Sequence, residues 1–430
     1  MLRFIFVAVL STLVFALPPI HAETPKLSLR DCIDIALKNQ PAIRAAQENV
    51  NAGRGRETQA GSPFLPQVNA STGYSESYAL GGAFGDSITK SYTTSVAVNQ
   101  IIYDFGKTGN ALDAARWGTR SSQRDLDRTI QDVVLNVKQA FYALLAAKKL
   151  VLVAQKTIEQ TESHLKQANA FYRAGSKPRF DVTRAEVEVN SARLGMINAK
   201  NGVRIRTITL NNAMGIEPGK ETEIDDTLPP LYAVPTLEKA QEETLRNRPE
   251  MLKAEADIEA AKYRVQAEAS NYYPTISANG AYNWTTGTAE MGPSFKGDLQ
   301  NSWNAGVMLT VPIFQGGLTG GRVSEARANL IATEVQRDAT RQSILLEVNQ
   351  YYADMESAKV RIEVMESSLQ KARENLEIAQ GRYEAGFGPY IEVTDAQLSA
   401  VNAETDYIQA KYDYSLAAAR LLKAMGRVEP

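Results

Sequence analysis

Tyr383-Glu384-Ala385-Gly386-Phe387-Gly388-Pro389-Tyr390-Ile391-Glu392-Val393-Thr394-Asp395-Ala396 has a near-copy 211 positions earlier, Tyr172-Arg173-Ala174-Gly175-Ser176-Lys177-Pro178-Arg179-Phe180-Asp181-Val182-Thr183-Arg184-Ala185. Tyr, Ala-Gly, Pro, an acidic residue, Val-Thr and Ala fall in register. Glycine accepts the left-handed backbone that a helix C-cap needs, so a helix ends at each Ala-Gly. The fixed φ of proline suits the start of the next helix. Each stretch reads as a hairpin tip between two helices, and the chain carries two such tips.

Long helices lead into both. Apolar and small positions step by 4 and 3 through Val133, Val137, Ala140, Leu144, Ala147, Val151, Ala154, Ile158, Thr161, Leu165, Ala168 and Tyr172. The same register recurs through Ile344, Val348, Tyr351, Met355, Ala358, Ile362, Met365, Leu369, Ala372, Leu376, Ala379 and Tyr383. After each tip it resumes, from Val182 and from Val393. Sustained 3–4 spacing predicts coiled-coil packing, and alanine at many seam positions allows close approach. A helix from Thr108 to Arg173 spans ~100 Å at 1.5 Å per residue.

The repeat extends toward both termini. Leu29, Leu37, Asn39, Pro41, Pro66 and Tyr74 match Leu237, Leu245, Asn247, Pro249, Pro274 and Tyr282, and Ala213-Met214-Gly215 matches Ala424-Met425-Gly426. The duplication divides the chain into a first repeat (23–217), a proline-rich linker (218–235) and a second repeat (236–430). In each, short helices precede two strand-like runs, at 67–80 and 91–103, then at 275–286 and 302–314. Val68, Ala70, Thr72, Tyr74 and Tyr78 oppose Gln67, Asn69, Ser71, Gly73, Ser75 and Ser77. Trp303, Ala305, Val307, Leu309 and Val311 oppose Ser302, Asn304, Gly306 and Thr310. Period-2 alternation with aromatics near the ends is the pattern of a membrane barrel strand, although any single run taken alone fits an ordinary sheet on a soluble core better. The small, uncharged polar faces suit a water-filled lumen.

Arg3, the apolar run Phe4 to Leu17 and the small residue Ala22 predict a signal peptide over 1–22. No later run reaches the ~18 apolar residues of a spanning helix, so strands must make any membrane crossing. The 430 residues carry a formal charge of −2, which gives no basic surplus for nucleic acid. Cys32 is the single cysteine and excludes an internal disulfide; it reads as a small buried hydrophobe.

Four strands cannot close a barrel, and lipid tolerates no open edge. Two chains would give eight strands and a filled interior; three would give twelve and an aqueous bore. The small polar inner face favours the trimer.

The order of signal, helices, strand pair and long helical hairpin, repeated twice, resembles the TolC-type outer-membrane efflux proteins. The resemblance covers nearly all of the chain after the leader. It rests on the two tips and on the strand-to-helix junctions Gln100-Ile101-Ile102-Tyr103-Asp104-Phe105-Gly106 and Val311-Pro312-Ile313-Phe314-Gln315-Gly316-Gly317. It implies a mixed fold, a trimeric 12-stranded membrane β-barrel continuous with a 12-helix α-helical coiled-coil tunnel in the periplasm. It also implies the outer membrane of a Gram-negative bacterium, a periplasmic adaptor (membrane fusion) protein and an inner-membrane pump of RND, ABC or MFS type.

Glu392 and Asp395 lie one turn apart and face the same way. Helix capping alone explains acids at a helix start. In a trimer the same positions form rings of carboxylates, which select cations. The resemblance places this pair at the constricted tunnel end and makes Asp181 and Tyr383 the groups that hold it shut. The family's arginine partner falls on Gly388, leaving Lys177 or Arg179 to replace it. The tips, Gly175, Ser176, Lys177, Pro178 and Arg179 with Gly386, Phe387, Gly388 and Pro389, become the adaptor contact.

No catalytic set, cofactor site or metal cluster is visible. After the leader the chain has one histidine, His164, expected on a solvated helix surface. Gly106-Lys107-Thr108 resembles the end of a phosphate loop, but Ile101 stands where that motif wants glycine. The leading reading is an export duct of a tripartite efflux or type I secretion system. Its rival is a secreted coiled-coil structural or adhesion protein without a pore.

Overall fold

The computed structural model describes residues 26–82, 85–226, 235–290, 295–296 and 300–427. The expected signal peptide, 1–22, and residues 227–234 of the expected linker lie outside the described residues.

Two rounds of the same elements follow one another. The first is α1 (Leu29–Asn39), α2 (Pro41–Gly61), β1 (Gln67–Gly82), β2 (Gly85–Tyr103), α3 (Lys107–Arg173) and α4 (Arg179–Ala213). The second is α5 (Leu237–Asn247), α6 (Pro249–Ala269), β3 (Thr275–Glu290), β4 (Phe295–Lys296), β5 (Gln300–Thr310), α7 (Leu318–Glu384) and α8 (Tyr390–Ala424). Helix lengths of 11, 21, 67 and 35 residues recur in both rounds. Among the described residues no helix is long and apolar enough to cross a membrane.

The strands form one antiparallel sheet in the order β1-β2-β3-β5, with the two-residue β4 on the far end of β3. Pairing carries each face across intact. Ala70, Val96, Tyr282 and Trp303 form one row; Ser71, Ser95, Asn283 and Ser302 form the next, on the opposite face. β1 has no partner on its outer edge, and along Gln300–Thr310 neither has β5, among the described residues.

Strand ends differ from the sequence expectation. β2 begins at Gly85 rather than 91, because Gly82 and Gly85 pair and Lys90 lies 3.8 Å from Glu76 across the ladder. Charge among those residues hid the pairing. The strand expected over 302–314 stops at Thr310. Pro312 follows, with no N–H to give to a ladder.

Helices stack beneath the sheet. α4 packs on α3 and α8 on α7; α6 lies between α3 and α7. The seam positions Val137, Leu144, Val348 and Met355 are buried. Val133, Val137, Phe141 and Leu144 meet Cys32, Ile33 and Ala36 of α1, with Leu210 and Met214 of α4. Cys32 is fully buried, which pushes its thiol up to about 12. The second round builds a matching cluster from Ala240, Val348, Tyr414, Leu421 and Met425.

Two glycines pin this arrangement. Gly215 has φ +69°, and a Cβ there would sit 2.9 Å from the Asn39 carbonyl carbon and oxygen. Gly426 has φ +72°, with the Asn247 carbonyl 2.8 Å from the same point. Gly215→Ala and Gly426→Ala should each cost on the order of 2–3 kcal/mol, from left-handed strain plus backbone displacement. Thermal unfolding followed by circular dichroism checks this. A loss confined to one of the two would contradict equivalent packing of the rounds.

Candidate functional site at the hairpin tips

Both tips close in the same way. Gly175 (φ +75°) and Gly386 (φ +85°) carry the positive φ that ends α3 and α7. Ser176 N donates to Phe171 O at 3.0 Å and Gly175 N to Tyr172 O at 3.0 Å. In the second tip Phe387 N donates to Arg382 O at 2.9 Å and Gly386 N to Tyr383 O at 3.1 Å. This pattern satisfies the last carbonyls of each helix. Pro178 and Pro389 then start the return helices, in extended backbone at the N-cap.

The two hairpins meet just above their tips. Ala168, Val182 and Ala185 of the first pack on Leu376, Tyr383, Tyr390 and Val393 of the second. Phe171 stands edge-on to Tyr383 at 5.6 Å, and Tyr383 lies 5.2 Å from Tyr390. Polar bonds cross the same contact. Tyr383 Oη donates to Asp181 Oδ2 at 3.4 Å, and Tyr390 Oη to Glu188 Oε2 at 2.9 Å. Arg184 donates to Thr394 Oγ1 at 3.3 Å and lies 3.7 Å from Glu188. Gln397 donates to Gln160 at 2.9 Å, and His164 Nε2 lies 3.1 Å from Gln380 Nε2.

Burial shifts these groups. It pushes Tyr383 up to about 12, with the Asp181 charge adding to it. Tyr390 is pushed up by burial and then by Glu188. Burial also raises Glu188, against its bond from Tyr390 and the nearby Arg184. Both phenols are therefore fixed as donors near neutral pH.

The sequence candidates are placed as follows. Asp181 and Tyr383 are buried and bonded to each other. Glu392 and Asp395 are three positions apart on α8; Glu392 is half-buried, 3.6 Å from Arg382, and Asp395 is exposed. Gly388 is buried, and a Cβ there would come 3.2 Å from Arg382 Cβ and 3.3 Å from Glu392 Oε2. An arginine in that place would have to displace its neighbours. Lys177 instead reaches the second tip, donating to Gly388 O at 3.4 Å with its ammonium 5.2 Å from the Tyr383 ring centre. Arg179 is exposed, as are Gly175, Ser176, Pro178, Gly386, Phe387 and Pro389.

His164 corrects the expectation of a solvated histidine. It is buried where the two hairpins meet, because the second hairpin, with α8 packed along α3 and Gln380 of α7 beside the ring, covers a face of α3 that the single-helix pattern leaves open. Sequence reading also missed Glu188, Arg184 and Gln380, and with them the bond from Tyr390 to Glu188. A signal existed for the Tyr390–Glu188 pair: Tyr390 replaces Arg179 at the matching tip position, and Glu188 has Ser399 as its counterpart. A pair present in only one copy marks a contact between the copies.

The His164 imidazole is held below its ordinary range by burial, with a weaker opposing pull from Glu384. A depressed imidazole stabilises the packing while neutral, and that contribution is lost as pH falls below about 6.5. The protection factors of amides 160–170, corrected for the intrinsic pH dependence of exchange, should therefore fall between pH 7 and 5. His164→Gln should flatten this dependence. The raised Glu188 acts in the opposite sense, favouring the packed state at low pH, so Glu188→Gln should steepen it. Parallel profiles for all three proteins would refute the assignment.

The comparisons with known proteins agree with this architecture. The family model described as outer membrane efflux protein matches residues 32–216 and 240–427, one match per round. The chain is 22% identical over 408 residues to outer membrane protein TolC of Vibrio cholerae, covering 93% of this chain and 90% of that protein. It is 26% identical over 408 residues to protein CyaE of Bordetella pertussis, covering 94% and 83%. A crystal structure of a membrane protein from Pseudomonas aeruginosa superposes with a TM-score of 0.79 at 22% identity, covering 93% of this chain and 90% of that one. With helices, strand pair and hairpin in the family's order in both rounds, this chain belongs to the outer membrane efflux protein family.

Proposed function

We propose that three copies of this chain form a channel through the outer membrane of a Gram-negative bacterium, continued by a helical tunnel into the periplasm. One observation carries the reading: an antiparallel sheet, apolar on one face and polar on the other, with both outer edges unpaired among the described residues. In hydrocarbon each unpaired peptide group costs several kcal/mol, so the edges must meet other strands. Four strands from each of three chains close a twelve-stranded barrel with an aqueous bore. The 67-residue helices then form the wall below, ~100 Å deep.

In this reading substrate passes without chemistry from an inner-membrane pump and a periplasmic adaptor to the outside. The hairpin tips are the adaptor contact. The Tyr383–Asp181 bond, joined by Tyr390–Glu188 and Lys177, holds the hairpins together where the tunnel narrows. Glu392 and Asp395 line that narrowing as rings of acids. Arg382 beside Glu392 weakens its field, which leaves the exposed Asp395 as the stronger ring.

Planar bilayers test this. Purified protein should insert as a particle of three chains with a cation-preferring conductance. Glu392→Ala with Asp395→Ala should lower the preference for cations over anions several-fold. Asp395→Ala alone should account for most of that loss. A monomer that washes off membranes in carbonate, or an unchanged ion preference, would refute the respective half of the reading.

A further inference from the structure

A cavity of about 610 Å³ opens between the two hairpins above their tips. α3 makes its floor; α4 of the same hairpin and α8 of the other make its walls. Most of the lining is apolar or small, with Val153 below, Ala192 and Gly195 on α4, and Leu398 and Val401 on α8. Along α8 it runs from Asp395 to Thr405, ~15 Å at 1.5 Å per residue. Sites for small organic molecules span roughly 300–1,000 Å³, and this cavity is of that size. The geometry points to a binding site for an amphipathic organic cation. Its apolar body lies in the groove, an N–H of its polar end donates to Gln397 Oε1, and Asp395 matches its charge.

Gln397 supplies the observation that calls for a ligand. The residue is only 6% exposed, and its Nε2 donates to Gln160 Oε1 at 2.9 Å. Its Oε1 is buried and has no hydrogen-bond partner among the described residues, although the side chain lines the cavity. A buried amide oxygen without a donor is costly, and a ligand N–H removes that cost. The charges at the tip end of the groove decide the sign of the ligand. Arg184 lies 3.7 Å from Glu188 and donates to Thr394 Oγ1, so these two charges offset each other. Asp395 is exposed and has no ion-pair partner among the described residues. Burial raises Glu188, and the nearby Asp395 pushes in the same direction. The surplus charge is negative, which favours a cation over an anion.

The duplicated positions do not build the same site. Gln397 corresponds to Glu186, and Gly195 corresponds to Asp406. A charge stands in place of the orphan amide, and a carboxylate in place of the open glycine wall. The site thus belongs to the side of the chain where the first hairpin receives α8. Its occupant touches α3 and α4 of one hairpin and α8 of the other, so it binds the joined hairpins better than separated ones. It adds to the bonds that Tyr383 makes to Asp181 and Tyr390 to Glu188. In the channel reading, on which this consequence alone rests, occupancy favours the narrowed tip and lowers conductance.

Full-length protein in phospholipid nanodiscs is titrated against proflavine, a planar fluorescent cation with N–H donors, and anisotropy is read against empty discs. Anthracene carboxylate, similar in shape and opposite in charge, is the control probe. Saturable binding of the cation, about tenfold tighter than that of the anion, is expected. Gln397→Leu keeps the bulk and removes the acceptor, and should weaken cation binding about tenfold. Gly195→Leu fills the groove and should abolish binding; a Cβ at Gly195 meets nothing within 4 Å, so the helix accepts it. The two variants are separate tests should either assemble poorly. Glu392→Ala leaves the groove lining intact and should bind as the parent does. Equal binding of both probes overturns the site, as does parental binding by Gln397→Leu or Gly195→Leu. So does loss of binding in Glu392→Ala, which would assign the cation to the acid ring. Planar bilayers separate this from the channel reading. A cation-preferring conductance in protein that does not bind proflavine overturns the site and leaves the channel standing. Binding that Gly195→Leu removes, with no effect of proflavine on the parent conductance, overturns the bridging of the hairpins.

Discussion

A peptide N–H or C=O facing hydrocarbon without a partner is the constraint from which the rest follows. Each costs several kcal/mol, and an edge strand presents a whole row of them. Among the described residues the sheet has two such rows, one along β1 and one along β5. No side-chain substitution can satisfy them; only other strands can. In the proposed trimer the need for neighbouring copies is thus a property of the backbone. The apolar and polar faces of the sheet then decide which side meets lipid and which meets water, because every pairing preserves parity.

Duplication meets that need economically, but the two rounds are not identical. At the start of α2, Gln40 donates to the Asn212 and Ala213 carbonyls at 2.9 and 2.8 Å. Its counterpart at the start of α6 is Arg248, buried between Glu250 and Glu347. A neutral link in one round is an ion pair in the other. Buried ion pairs contribute little net stability but penalise mispairing. The same divergence appears at the tips, where Tyr390 and Glu188 form a bond that has no duplicate. The shared scaffold sets shape; the differences make each round recognise the other.

Much of the architecture was legible in the sequence because it is periodic. The 3–4 steps through Val133 and Ile344 identified the long helices, the alternation through Tyr74 and Trp303 identified strands, and Gly175 and Gly386 located the tips. Strand ends were harder. Pairing extended β2 back to Gly85 and Pro312 cut β5 short, and pairing is a property of two segments at once. The candidate site was legible in part for the same reason. Asp181 and Tyr383 were found through family resemblance, but the burial of His164 and the partnership of Tyr390 with Glu188 require knowing which faces of the helices meet. A single helix pattern carries no such information. Gly388 shows the converse: its absent side chain is plain in the sequence, yet only the packed tip shows Arg382 and Glu392 crowding the space a side chain would need.

The equal helix lengths carry a further consequence. With 67 descending and 35 returning residues in both rounds, all the hairpins of an assembled ring end at one level. In the proposed assembly the hairpins act as a ruler for the depth of the tunnel, graduated at 1.5 Å per residue. Its length is therefore difficult to change by small steps. An insertion in one helix alone would rotate its seam and tilt its tip out of the common plane. Evolution can lengthen or shorten such a pipe only by whole-turn increments, made in the down-going and up-going arms and in both halves together.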